Sequence, residues 1–269
     1  MLPNPILELG PIKVYMYGVM VALGILAAFG VLYGFGKKKK VALSDLDFVF
    51  YLAIVSIGVG MFSAMLFQAI YDYVETGVFD LGGGLTFIGG LIGAAVTATL
   101  GFVLFRKKFP RAFYDTIEII PAAIACAHGF GRIGCFFAGC CYGIQTDGPL
   151  GVHFPQVPGR VLPTQLFESA FEFLIFGLMS WLFLKKNKRH NMSVYLIGYG
   201  CFRFLTEFIR DDARGEFVAS VTPSQFWSIL MVVLGIAFFF VKLPEPAIAP
   251  AAEAEVDTAE PEVETETEE

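Results

Sequence analysis

Two short stretches bring charged side chains into otherwise apolar parts of the sequence. The first runs His128-Gly129-Phe130-Gly131-Arg132-Ile133-Gly134-Cys135 and continues as FFAGCCYG to Gly143, and the second is YGCFRFLTEFIR, from Tyr199 to Arg210. In the second stretch Tyr199, Arg203, Glu207 and Arg210 are spaced by four, four and three, which places them along one face of a helix. Arg203, Glu207 and Arg210 sum to a positive charge, and Arg132 adds another. Arginines without counter-charges call for an anion, and the guanidinium fork suits a phosphate through two parallel hydrogen bonds. The other reading is an Arg203–Glu207 ion pair that does no more than lock two helices together.

The residues around Arg132 admit similar pairs of readings. Gly129, Gly131, Gly134, Gly139 and Gly143 leave the backbone free for φ > 0 and for close approach to a ligand; alternatively they are packing points between helices. His128 lies four residues before Arg132, so on a helix it shares that face and is a candidate proton acceptor, or else a histidine hydrogen-bonded at a helix end. His153 and His190 are expected in solvated loops. Of five cysteines, Cys135, Cys140 and Cys141 fall in the glycine-rich stretch. Their C-x4-CC spacing matches no familiar zinc pattern, so no metal is expected. A disulfide between Cys135 and one of the pair, or small buried thiols, are the remaining options.

The elements that must position these groups belong in lipid. Of 269 residues, 56% are hydrophobic and 16% charged, with a mean hydropathy of +0.66, whereas soluble domains are about 45–50% apolar and about a quarter charged. About 20 apolar residues cross a bilayer as a helix. The expectation is an all-α, polytopic membrane protein of about seven transmembrane helices, near residues 14–35, 46–70, 85–105, 112–127, 163–184, 193–209 and 222–241. Basic clusters at 37–40, 106–111 and 185–189 follow the first, third and fifth spans. By the excess of Lys and Arg in cytoplasmic loops, the N-terminus lies outside and the C-terminus in the cytoplasm. No secretory signal is expected, because residues 1–13 lack a basic start. The membrane domain takes in residues 1–242. Residues 243–269, rich in Pro, Ala, Glu and Thr, read as a disordered acidic tail, and they carry the acidic excess behind the formal charge of -6. Ionisable groups at membrane depth are costly and invite a functional reading.

At these residues the sequence resembles the prolipoprotein diacylglyceryl transferases, bacterial seven-span enzymes, over nearly its whole length. GRIGCFFAGCCYG is similar to that family's Gly-Arg-x-Gly-Asn-Phe-x-Asn-x-Glu-x-x-Gly signature. Tyr17-Gly18, GGLIG at Gly89 to Gly93, LPTQLFES at Leu162 to Ser169 and YGCFRFLTEFIR agree in spacing and order. The resemblance implies transfer of the diacylglyceryl group of phosphatidylglycerol to a lipobox cysteine thiol of a prolipoprotein, with release of glycerol phosphate, at the bacterial cytoplasmic membrane. It implies that Arg132 and Arg203 hold the phosphate and that Tyr17, Tyr199 and Glu207 shape the head-group site, with His128 a further catalytic candidate from its place beside Arg132. Tyr17, Gly131, Gly134, Cys135, Gly143, Gly89, Gly90, Gln165 and Arg210 would line the substrate site. Phosphatidylglycerol, the lipobox segment and membrane lipids are the implied partners, with no cofactor and no nucleic acid. The sequence departs from the pattern where Ile88 replaces the histidine before GGLIG, Cys135 the signature asparagine and Cys140 the signature glutamate. Isoleucine exchanges no proton, so His128 or Tyr199 would take that part. Otherwise the chain is a divergent relative that uses its cysteines, or one that binds an anionic lipid or solute without turnover.

Overall fold

The computed structural model describes residues 4–10, 12–186, 190–210 and 222–241. The expected tail at 243–269 and part of the basic cluster at 185–189 lie outside the described residues. An antiparallel pair, β1 (Leu7–Leu9) and β2 (Ile12–Val14), opens the chain, with Leu7 opposite Val14. Helices α1 (Met16–Lys38), α2 (Leu43–Thr76), α3 (Phe87–Leu104), α4 (Ala112–Thr116), α5 (Ile120–Ala138), α6 (Thr164–Leu184), α7 (Asn191–Thr206) and α8 (Pro223–Phe239) follow. A hairpin of β3 (Val152–His153) and β4 (Arg160–Val161) lies between α5 and α6.

The protein is a mostly helical membrane protein. Helices α1, α2, α5 and α6 are long and apolar enough to cross a membrane. Leu26 on α1, Leu104 on α3 and Leu174 on α6, 67%, 72% and 73% exposed, belong to long runs of exposed large apolar side chains, which suit a surface facing lipid.

The chain divides into two compact units. One runs from Gly36 to Asp115 and the other takes in α1 up to Phe35 and the chain from Thr116 through α8. In the former, α2 and α3 pack closely through small residues: a Cβ on Gly90 would lie 3.4 Å from Ala64 Cβ, and one on Gly89 would lie 2.6 Å from Phe67 Cβ. Gly89 and Gly90 thus meet α2 as packing points. In the latter, α5 packs on α6, α6 on α7 and α7 on α8. Gly24 of α1 abuts α5, where an added Cβ would lie 2.8 Å from the Ala127 carbonyl.

The fourth expected span is displaced. The chain breaks after α4 and restarts at Ile120-Pro121, with proline in the first turn where its missing N–H costs nothing. The whole HGFGRIGC stretch is therefore helical in α5, and its glycines do not interrupt it. The break also serves α7: the Glu118 carboxylate accepts from the Asn191 N–H at 2.6 Å, at the end of α7 where free N–H groups favour an anion. Helix α8 starts with a capping box, Thr222 with Gln225, and Pro223 behind the cap.

Candidate functional site

The C-terminal half of α5, the N-terminal part of α6 and the C-terminal end of α7 meet at one end of their unit, and the buried charges collect there. The hub is Glu168 on α6, 1% exposed. Its carboxylate receives Arg132 Nη2 from α5, 2.7 Å from both oxygens, and the Tyr199 hydroxyl from α7, which donates to Oε1 at 2.7 Å. Arg210 Nη1 stands 3.9 Å from Oε2 and His128 Nε2 3.7 Å from Oε1. One turn along α6, the fully buried Glu172 places Oε1 2.6 Å from His128 Nδ1. The His128 ring meets the Tyr199 ring edge-on at 5.2 Å, and Tyr195 stacks on Tyr199 at 5.8 Å.

A second cluster closes the end of α7. Arg203 Nη2 contacts Glu207 Oε2 at 2.8 Å and donates to Ser224 Oγ at 2.9 Å, while Arg203 Nη1 reaches Thr206 Oγ1 at 3.5 Å. Glu207 Oε1 accepts from the Thr222 hydroxyl at 2.9 Å. These bonds tie α7 to the start of α8, the interhelix lock that was the alternative reading of this pair.

Two expectations need correction. The surplus of positive charge does not hold, because Glu168 and Glu172 enter from α6 and supply carboxylates that the count over two segments omits. Nor does Arg210 continue the helical face: α7 ends at Thr206, a 3-10 turn covers Glu207–Ile209, and Arg210 is extended at φ -93°, ψ 149°. Its guanidinium reaches Glu168 from that extended segment. The turn forms because the chain then joins the loop after α5, where Gly143 bridges to Arg210 and the Ile144 N–H donates to the Ile209 carbonyl.

The glycines divide between the two readings. Gly129 and Gly134 are packing positions: an added Cβ would meet the Phe173 ring at 2.9 Å and the Tyr17 ring at 3.1 Å respectively. At Gly143 the Ile209 carbonyl occupies the space a Cβ would need. Gly131 has nothing within 4 Å of that position, so the face beside Arg132 is open there. Of the five glycines between Gly129 and Gly143 named above, Gly139 alone uses left-handed backbone, at φ 72°, where it ends α5. Tyr17, near the start of α1, is 47% exposed. Gln165 is fully buried, and its amide donates to the Cys140 carbonyl. The five cysteines are free thiols, with Sγ of Cys135, Cys140 and Cys141 within 4.8 Å of one another. The two remaining histidines stand apart from this network: His153 lies in β3, 2.9 Å from the Gly159 carbonyl, and His190 stacks on Phe239.

The loop after α5 is a folded cap with its own small core of Phe154, Val157 and Val161, against which Phe136 and Tyr142 pack. Glu168 and Glu172 are the site residues that sequence reasoning missed. Their signal was legible: two carboxylates four apart in an apolar span lie on one helix face and need partners.

An apolar helical protein with a buried network of arginines, carboxylates, a tyrosine and a histidine defines a membrane protein with an internal polar site. The family profile described as prolipoprotein diacylglyceryl transferase matches residues 4–241. The chain is 38% identical over 248 residues to a phosphatidylglycerol–prolipoprotein diacylglyceryl transferase of Clostridium tetani, covering 88% of this chain and 96% of that one. It is 33% identical over 244 residues to a protein of Clostridium perfringens named phosphatidylglycerol–prolipoprotein diacylglyceryl transferase 2, covering 86% and 92%. Against a protein of the first of these names from Francisella tularensis subsp. mediasiatica the identity is 37% over 246 residues, covering 86% and 90%. The chain belongs to the prolipoprotein diacylglyceryl transferase family.

Proposed function

We propose that this protein transfers the diacylglyceryl group of phosphatidylglycerol to the thiol of a lipobox cysteine. The sulfur attacks the glycerol carbon that bears the phosphate. A carbon–sulfur bond forms, the carbon–oxygen bond breaks, and glycerol phosphate leaves with the electron pair. Negative charge grows on the phosphate oxygen as that bond breaks, and a preplaced cation in a water-poor site stabilises it more than the same cation in water. The observation that carries the reading is the state of Arg132. Glu168 engages only its Nη2; Nη1 has a sulfur at 4.0 Å, and Nε has no hydrogen-bond partner among the described residues. In the proposed complex Nη1, which no carboxylate engages, takes a phosphate oxygen beside the open position at Gly131. Arg203 directs its nitrogens to Glu207, Ser224 and Thr206, so its part is to hold the end of α7.

The attacking thiol must lose its proton. Tyr199 donates its own hydrogen to Glu168 and is the poorer acceptor. His128 is the better one: Glu172 Oε1 stands 2.6 Å from Nδ1, and in the tautomer that carries its hydrogen on Nδ1 the Nε2 lone pair receives the proton. This arrangement supplies the proton-accepting group that Ile88 cannot. The remaining topology is part of the proposal: seven spans, with α4 and α5 together forming the fourth, an outside N-terminus, and lipid drawn from the outer leaflet of the bacterial cytoplasmic membrane.

Purified protein incubated with labelled phosphatidylglycerol and a lipobox peptide should release glycerol phosphate in step with thioether formation. Lipid binding with no release would overturn the catalytic reading in favour of a binding protein.

A further inference from the structure

Three sulfur atoms from Cys135 and the Cys140-Cys141 pair meet at one point, and the local backbone is arranged to bring them there. Cys135 sits in the last turn of α5. The helix stops at Gly139, and the Cys140 N–H then turns back to the Cys135 carbonyl at 3.2 Å. Cys141 is itself left-handed, at φ 63°, a region that costs a residue with a Cβ about 1 kcal/mol or more and persists only where the surroundings enforce it. The enforcement comes from the first turn of α6, where the Thr164 hydroxyl donates to the Cys141 carbonyl at 2.8 Å and the buried Gln165 amide to the Cys140 carbonyl. With both carbonyls pinned, the pair cannot relax away from the helix end. The Sγ atoms of Cys135, Cys140 and Cys141 lie within 4.8 Å of one another. Cys140 is exposed and offers an entry path.

We propose that Cys135, Cys140 and Cys141 form a three-thiolate site for a soft monovalent cation of the copper(I) class. Three sulfurs at about 2.3 Å from a central ion in one plane stand about 4.0 Å apart, so closure from the present spacing needs less than about 1 Å of movement. Thiolates select soft ions, and three of them satisfy a trigonal centre. Zinc asks for a fourth ligand, and the group among the described residues contains no histidine or carboxylate. Loading exchanges three thiol protons for one Cu(I), with no change of oxidation state, and leaves an anionic centre. Arg132 Nη1, 4.0 Å from Cys135 Sγ, is placed to offset that charge. The C-x4-CC spacing hid this site because the fold, not the spacing, turns the pair back onto the helix.

The test is a titration of the full-length, reduced protein in detergent with Cu(I) under anaerobic conditions, against bicinchoninate as the competing chelator. The expected result is one Cu(I) per chain, with absorption spectroscopy giving three sulfurs at about 2.3 Å. Cys141→Ser should weaken binding by at least about tenfold, since losing a first ligand costs no less than losing an outer partner. Cys201→Ser, a change at an exposed thiol of α7 outside the cluster, should leave binding unchanged. The triple change C135S/C140S/C141S, checked for a native elution profile, should abolish it. Copper retained by the triple variant, a disulfide within the cluster in anaerobically purified protein, or fewer than three sulfurs around the ion would each overturn the proposal. Should the triple variant not fold, the Cys141→Ser affinity and the sulfur count in the unmodified protein decide the matter.

Discussion

Tyr199 donates its hydroxyl hydrogen to Glu168 across 2.7 Å, and the same carboxylate holds Arg132. The phenol therefore does its work through its acceptor, keeping Glu168 in the one position from which it reaches both α5 and α7. Tyr199→Phe retains the ring contacts to His128 and Tyr195 and removes only this donor. A buried hydrogen bond to a charged group contributes about 1.5–3 kcal/mol. The variant should unfold several degrees lower in detergent and turn over more slowly, with less effect on phosphatidylglycerol binding. An unchanged melting temperature would show that the hydroxyl does not hold Glu168.

Glu168 carries more than any arginine around it. Glu168→Gln keeps the shape but removes the counter-charge of Arg132, and breaking a buried pair from one side costs about 3–5 kcal/mol because the partner is left uncompensated. The double change Glu168→Gln with Arg132→Met removes both charges and should recover part of that loss, a coupling that thermal unfolding of the four proteins measures. Activity should not return with stability, since the proposed phosphate ligand is gone. Strict additivity of the two changes would show that the pair is not coupled.

The helices were legible because an apolar stretch of membrane length says the same thing locally and globally. Arg132 and Arg203 were legible as members of a buried polar network because charge in an apolar span has few bland explanations, and Tyr199 because it shares the Arg203 helix face. What was not legible depended on the third dimension. Helix α5 was misplaced because its glycines read as breaks, whereas Gly129 and Gly134 let a continuous helix approach Phe173 and Tyr17. Arg210 was placed on the α7 face because the spacing continues, but pairing with the loop after α5 pulls the chain into a 3-10 turn first. Glu168 was passed over because it sits in a motif valued for its likeness and not for its charge, and Glu172 because it lies three residues beyond that motif. Their partners lie 36 and 44 residues earlier in the chain, at Arg132 and His128, too far apart for local pattern to connect.

Two glycines that look alike in sequence should behave oppositely. Gly143→Ala forces a methyl group against the Ile209 carbonyl and Thr164, where backbone has to shift, and overpacking of this kind costs about 1–3 kcal/mol. Gly131→Ala meets nothing and exchanges glycine for the best helix former inside α5, a gain of up to about 1 kcal/mol. Thermal unfolding should rank Gly131→Ala above the unmodified protein and Gly143→Ala below it. If the open face at Gly131 admits the lipid head group, the stabilised variant should also bind phosphatidylglycerol more weakly, since the added methyl group narrows that face. Tighter or equal binding would place the head group elsewhere.

His128 and Glu172 make the sharpest division between a proton-handling pair and a structural one. His128→Ala removes the proposed acceptor and should abolish transfer while phosphatidylglycerol still binds, because Arg132 and Glu168 are untouched. Glu172→Gln is the finer probe. It keeps the volume and the 2.6 Å contact with Nδ1, but an amide can donate where the carboxylate only accepts, so it no longer fixes which ring nitrogen bears the hydrogen. A positioning role predicts a fall in kcat of about tenfold or more with KM for the lipid little changed, in line with the cost of disturbing an orienting partner. A purely structural pair predicts the reverse pattern, in which Glu172→Gln lowers the melting temperature and the protein that remains folded turns over at the normal rate.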